Sequence, residues 1–308
     1  MRTRNVYIMM VFSSLLSAGA FITGKLAVVQ FPPFALTFFR FLIAAIVIFG
    51  LLRYWHPEEW KLQKREIAPL LLLGFIGIFM YHVLFFSCLK YTTAINSSLI
   101  AAVNPMVTAI IAAIFLSDKL TPLRITGIAL SFIGVVCTVT NGDWRVITGM
   151  TFNFGDILML MAVLCWAVYG VLNRRVMDKY GIPPIKLNFY AFVVGCLLSL
   201  PMFLREQPAS FLPQTTFSGW LSIIYMAVCS SVMAYVFFSM AIREIGAPRT
   251  AIFVNLIPVF AIILSVTFLG EGFGWIKLMS TLLIILGVYL TTKPVPNVVP
   301  NETISVLE

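Results

Sequence analysis

Stretches of about twenty apolar residues recur along this chain, and its charged residues gather in the short segments between them. No other feature constrains the fold as strongly. Crossing about 30 Å of hydrocarbon takes roughly 20 helical residues, and a helix satisfies its own backbone polar groups there. Ten segments qualify: 6–24, 34–52, 67–89, 94–116, 123–140, 155–172, 186–204, 219–241, 249–269 and 275–292. Composition agrees. The chain is 60% hydrophobic and 11% charged, against about 25% charged in soluble domains. The expectation is an all-α integral membrane protein of ten transmembrane helices, with the lipid bilayer as its solvent.

The formal charge of +9 raises nucleic acid as a partner, but its distribution excludes it, because the basic residues fall in short loops and report topology instead. The N-terminus, the loops after helices 2, 4, 6 and 8 and the tail hold fifteen Lys and Arg, and the opposite set holds five. That bias places both termini in the cytoplasm, and the short loops suit a cell inner membrane. The five cysteines lie within apolar segments without zinc or disulfide spacing, so they read as small buried hydrophobes. The basic-then-apolar N-terminus resembles a signal peptide, but its apolar run continues to about Thr23, which favours a first spanning helix.

The chain also repeats itself. "FPPFALTFFRF" at 31–41 resembles "IPPIKLNFYAF" at 182–192, an offset of 151. At an offset of 153, Val83, Phe85, Ala94, Pro105, Gly134 and Val135 meet Val236, Phe238, Ala247, Pro258, Gly287 and Val288. The halves are 1–142 and 150–292, and 293–308 reads as a polar, Pro-rich, disordered tail. Each half has five spans. Five is odd, so the second half is inverted, an arrangement that in secondary transporters places a substrate site near the midplane between the repeats.

The stretches "FFSCLKYTTAINSSLIAAVNPMVTAIIAAIFLSDKLTPLRITGIALSFIGVVC" and "FFSMAIREIGAPRTAIFVNLIPVFAIILSVTFLGEGFGWIKLMSTLLIILGVYL" each resemble the second part of an EamA-type domain. Two such domains make the ten-helix members of the drug/metabolite transporter superfamily, and the resemblance covers residues 6–292. Asp118 stands where the family commonly has Glu, while Glu271 fits. The resemblance implies export or exchange of amino acids and other small metabolites, without a cofactor, and leaves the substrate and the oligomeric state open.

Candidate site residues follow from polar and aromatic groups inside the spans. Arg40 stands in an apolar helix, where a cation is expensive, and its counterpart in the second half is Ala191. It either snorkels outward or turns inward to a carboxylate or substrate. Tyr81 and His82 lie mid-helix, and His82, which aligns with Tyr235, is a candidate carrier of a coupling proton or a neutral ring bonded to a neighbour. Asn96, Asn104 and Thr108 share a face of helix 4, Asn255 is the polar residue of helix 9, and Trp166, Tyr169 and Asn173 form a stripe on helix 6. Tyr235 does so on helix 8 with Ser231 and Ser239. Together these would suit a small amphipathic metabolite, while each Asn could equally serve as an interhelical hydrogen bond. Pro105 and Pro258 would free the carbonyls of Ala101 and Val254, as hinges or plain kinks. Asp118 and Glu271 read as caps on helices 5 and 10, and the small residues of helix 1 as a close-packing surface.

Other functions fit less well. A membrane enzyme would need convergent nucleophile, base or metal groups, whereas the spans hold no paired carboxylates and the chain has two histidines, with no metal-ligand spacing. Exchange of phosphorylated sugars or nucleotide sugars would call for several deep cations, and Arg40 is the one candidate.

Overall fold

The computed structural model describes residues 3–55, 57–58, 60–104, 106–108, 110–111, 122–143, 145, 153–245, 253 and 256–292. Among these there is no strand. Ten helices follow in order: α1 Thr3–Ala27, α2 Pro33–Trp55, α3 Lys64–Tyr91, α4 Ala94–Ala101, α5 Pro122–Thr140, α6 Phe154–Tyr180, α7 Pro184–Arg205, α8, α9 Leu256–Leu269 and α10 Trp275–Thr292. α8 joins Phe217–Tyr225, Met226–Met233 and Ala234–Ile245. A single turn, Pro208–Phe211, precedes it. Each helix lies on one of the ten apolar segments. Six of them, α1, α2, α3, α6, α7 and α8, contain stretches long and apolar enough to cross a membrane, and shorter apolar stretches lie in α5, α9 and α10. The expected tail lies outside the described residues.

Helix ends follow local chemistry. Asn153 accepts a hydrogen bond from the Gly155 N–H at the start of α6 (2.8 Å), and Thr93 caps α4 through the Asn96 N–H (3.0 Å). α6 overruns its expected end at 172 by two turns and stops at Gly181, whose φ of 66° favours glycine. Charged residues let that last part leave the apolar layer while remaining helical.

The two halves interlock. α1 and α2 lie against α8, while α6 and α7 lie against α3, so each half grips the central helix of the other. α5 and α10 pair closely: a methyl on Gly134 would stand 2.6 Å from Ile284, and one on Gly287 would meet the Gly127 carbonyl at 2.5 Å. The small residues of α1 do form a close-packing surface. Ser13 Oγ donates to the Ala234 carbonyl (3.1 Å), Ser14 Oγ to that of Phe253 (2.6 Å), and a side chain on Gly19 would collide with Tyr225. All five cysteines are free thiols, with Cys88 and Cys196 buried and the others half-buried.

Side chains from distant segments close the helix ends. At the end away from the basic loops, Lys25 Nζ donates to the carbonyls of Leu89 (2.6 Å) and Thr92 (2.5 Å) where α3 stops. Glu206 accepts from the Phe34 (3.2 Å) and Ala35 (2.8 Å) N–H groups where α2 starts. Glu271 accepts from the N–H groups of Ala94 (2.7 Å) and Ile95 (2.9 Å). It therefore caps α4 of the other half, not α10 as its position in the chain suggests; Asp118 lies outside the described residues. At the basic end, the buried Lys186 ammonium meets Glu66 Oε2 (2.8 Å) and the Lys61 carbonyl (2.9 Å). Tyr190 Oη donates to the Trp60 carbonyl (2.6 Å).

Two outcomes are expected from these contacts. Lys186→Met strands the buried Glu66 carboxylate and should cost about 3–5 kcal/mol, whereas joint replacement by Lys186→Met and Glu66→Leu should recover most of that loss in detergent unfolding. Burial pushes the Glu206 carboxyl up from 4.5, against the pull of the Phe34 and Ala35 N–H groups and of Lys90. A carboxyl raised on folding favours its protonated form in the native state, so its stabilising contribution is lost as pH rises from its unfolded value through the raised one. Wild type should lose thermal stability relative to Glu206→Gln as pH rises above the ordinary carboxylate range; a constant difference across that rise would count against the assignment.

Candidate functional site

α3 and α8 share a departure from regular helix. In α3, residues Gly74–Met80 widen into a π-helix, and in α8 Met226–Met233 do the same. The Tyr81 N–H reaches back to the Ile76 carbonyl and the Ala234 N–H to that of Cys229, five residues in each case. Ile76 and Tyr81 correspond to Cys229 and Ala234 at the repeat offset of 153, so the widened turns are counterparts in the two halves. Such turns re-aim the side chains beyond them and concentrate at functional sites.

Tyr81 and His82, just beyond the first turn, and Tyr235, just beyond the second, meet Phe41, Trp166 and Phe192 in a ring. Between ring centroids, Tyr81 and Trp166 are 4.7 Å apart, Trp166 and Tyr235 6.1 Å, and Tyr235 and Phe192 5.9 Å. Phe192 and Phe41 follow at 5.1 Å, Phe41 and His82 at 4.5 Å, and His82 and Tyr81 at 4.6 Å, which closes the circuit. Most pairs are edge-on or tilted, the arrangement the ring quadrupoles favour. Helices α2 and α3 of the first half and α6, α7 and α8 of the second contribute. Tyr169 supports Trp166 from 5.2 Å, and its hydroxyl donates to Asn188 Oδ1 at 3.4 Å. The ring has an approximate twofold relation: Phe41 and His82 face Phe192 and Tyr235, their counterparts by sequence.

Arg40 sits beside this ring and turns inward. The residue is 4% exposed. Its Nε donates to Ser231 Oγ (2.9 Å) and its Nη2, at 3.5 Å, to Ser230 Oγ, both in the widened turn of α8. The guanidinium carbon lies 5.4 Å from the Phe41 ring centre and 5.8 Å from that of Phe86, within cation–π range. Of the two roles open to it from sequence, snorkelling is excluded. Among the described residues, no carboxylate pairs with it.

The remaining candidates divide. His82 is buried, and because a carbonyl can only accept, its Nδ1 carries the proton donated to the Ile78 carbonyl (2.9 Å). It packs among Phe41, Tyr81 and Phe86. Asn104 Nδ2 donates to the Val163 carbonyl (3.3 Å) and its Oδ1 accepts from Thr108 (3.1 Å), an interhelical tie with no bond to the ring. Asn255 and Pro105 lie outside the described residues. Pro258 is buried near the described start of α9, and the Val254 carbonyl it would free is outside them. Ser230, Phe41, Phe86 and Phe192 are site neighbours that the sequence did not mark. The Ser230–Ser231 pair inside an apolar helix is the signal that was available. Two recesses lie elsewhere, one of about 570 Å³ beside Asn96, Asn153, Asp156 and Lys277, the other of about 240 Å³ between α3 and α6.

An all-helical, lipid-soluble fold whose two halves converge on a buried polar and aromatic centre defines a membrane transporter. The chain belongs to the EamA-like transporter family, whose model matches residues 4–140 and again 153–293. It is 34% identical to an uncharacterized transporter, YyaM, of Bacillus subtilis over 288 residues, covering 94% of this chain and 93% of that one. An uncharacterized transporter of Archaeoglobus fulgidus is 30% identical, with 93% and 96% covered. An S-adenosylmethionine/S-adenosylhomocysteine transporter of Chlamydia muridarum is 25% identical, with 89% of each chain covered. A solved crystal structure superimposes with a TM-score of 0.64 at 19% identity, covering 92% of this chain and 95% of that one, which shows the shared fold.

The support of the ring is open to test at Gly77. A side chain there would collide with the Tyr169 ring close to its root, where rotation gives little relief. Gly77→Ala should therefore destabilise the purified protein by about 1–3 kcal/mol through overpacking. Gly50, with nothing within 4 Å of an added Cβ, should accept Ala without loss.

Proposed function

We propose that this chain is a secondary transporter that exports or exchanges small metabolites, amino acids or related amphipathic compounds, by alternating access around the aromatic ring. One observation carries the reading: five helices from both halves of a duplicated chain converge on the ring, so a rocking of one half against the other opens it to one side or the other. Tyr81, Trp166 and Tyr235 are half-buried and carry polar tips on apolar bodies, which suits an amphipathic ligand. The Chlamydia muridarum relative is named for two amino-acid derivatives, in keeping with this class. The basic loops favour a cell inner membrane with both termini cytoplasmic. Exchange of phosphorylated sugars is less well supported, because Arg40 is the one cation beside the ring among the described residues. His82 is buried and bonded to a carbonyl, so a coupling proton is not assigned to it.

Counterflow in proteoliposomes tests the reading and separates a carrier from a channel, since exchange stimulation belongs to a carrier. Tyr235→Ala and Trp166→Ala should each reduce amino-acid counterflow at least about tenfold, the effect of roughly 1.4 kcal/mol of lost binding, at wild-type levels in the membrane. Unchanged kinetics in both variants would remove the ring as the site.

A further inference from the structure

We infer that the substrate carries a carboxylate, and that Arg40 receives it. This rests on the ring being the substrate site and adds the chemical class of the ligand. A guanidinium has five N–H donors. Arg40 commits Nε to Ser231 and Nη2 to Ser230, so among the described residues three donors, including both on Nη1, have no acceptor. The side chain is nevertheless buried, and a buried cation without a counter-ion costs several kcal/mol. The fold does not demand that cost, because Ala191 fills the corresponding place in the second half, where the backbone approaches the bare Gly74 instead. Arg40 is the exception to the twofold relation of the ring.

The two serines hold the guanidinium from the α8 side, and its remaining edge offers the fork geometry that a carboxylate fits with two parallel hydrogen bonds. Phe41 and Phe86 flank it and keep water away, which strengthens such a pair. The aromatic faces of Tyr81, Trp166 and Tyr235 then take the rest of the molecule. With one fixed positive charge and no carboxylate beside the ring among the described residues, the site repels a simple organic cation. A dianionic phosphate would lack a second cation. An amino acid retains its ammonium, which the aromatic faces can receive.

The test is a thermal-shift titration of the full chain in detergent with three matched sets. These are the protein L-amino acids with simple aliphatic and aromatic monocarboxylates, the corresponding amides, and the corresponding amines. Wild type should be stabilised by members of the first set, and their amides should bind ten- to hundredfold more weakly, the range for a hydrogen-bonded charge. Arg40→Gln should abolish that preference and Arg40→Lys should keep part of it. Should Arg40→Gln fail to fold, Ser231→Ala, which frees the guanidinium from its serine tether, should change carboxylate affinity and leave amide affinity unaltered. Equal response of wild type to acids and amides, a preference for amines, no response to the first set, or an intact preference in Arg40→Gln would each overturn the proposal. Amine counterflow in proteoliposomes lost in Tyr235→Ala would overturn the carboxylate and leave the transporter reading standing; absence of counterflow with all three sets would remove both.

Discussion

Within hydrocarbon no water is present to take up an unpaired backbone N–H or carbonyl, and the rest of this structure depends on that constraint. It makes every described span helical, and it explains how the helices end. Lys25 receives the last carbonyls of α3, while Glu206 and Glu271 receive the first N–H groups of α2 and α4. The glutamates come from the opposite half of the chain. Satisfying the ends therefore also ties the halves together.

The same accounting governs the centre. A π-helical turn loosens the regular ladder, and the loosened carbonyls need partners. In α3 the Ile78 carbonyl is taken by His82, a side chain one turn further on. In α8 the widened turn instead presents Ser230 and Ser231 to Arg40. The two turns are equivalent by sequence, yet one is closed on itself and the other faces a charge. A symmetric frame thus carries an asymmetric centre.

Much of that centre was legible before the fold was known. Tyr81, Trp166, Tyr169 and Tyr235 stand out as polar aromatics deep in apolar spans, at spacings that share a helix face, and they do meet. Elsewhere the pattern left two readings open. Asn104 has the same polarity and depth but points to the Val163 carbonyl, because a span offers an amide either a ligand or a neighbouring helix and the pattern is the same for both. Glu271 was read against the helix beside it in the chain, since adjacency is all that one dimension offers. The widened turns were invisible, because one extra residue per turn leaves hydropathy unchanged.

Sequence by itself determined that this chain is a helical membrane protein built twice over, because apolar length, loop charge and an internal repeat are properties of order along the chain. It also placed a charge in an apolar helix where the second half has none. Only the tertiary structure decided what that charge does. Whether Arg40 reaches lipid headgroups or the interior depends on which face of α2 meets α8, and that follows from how two widened helices from opposite halves fit together. The direction of a side chain at equal depth is set by packing, which hydropathy does not encode.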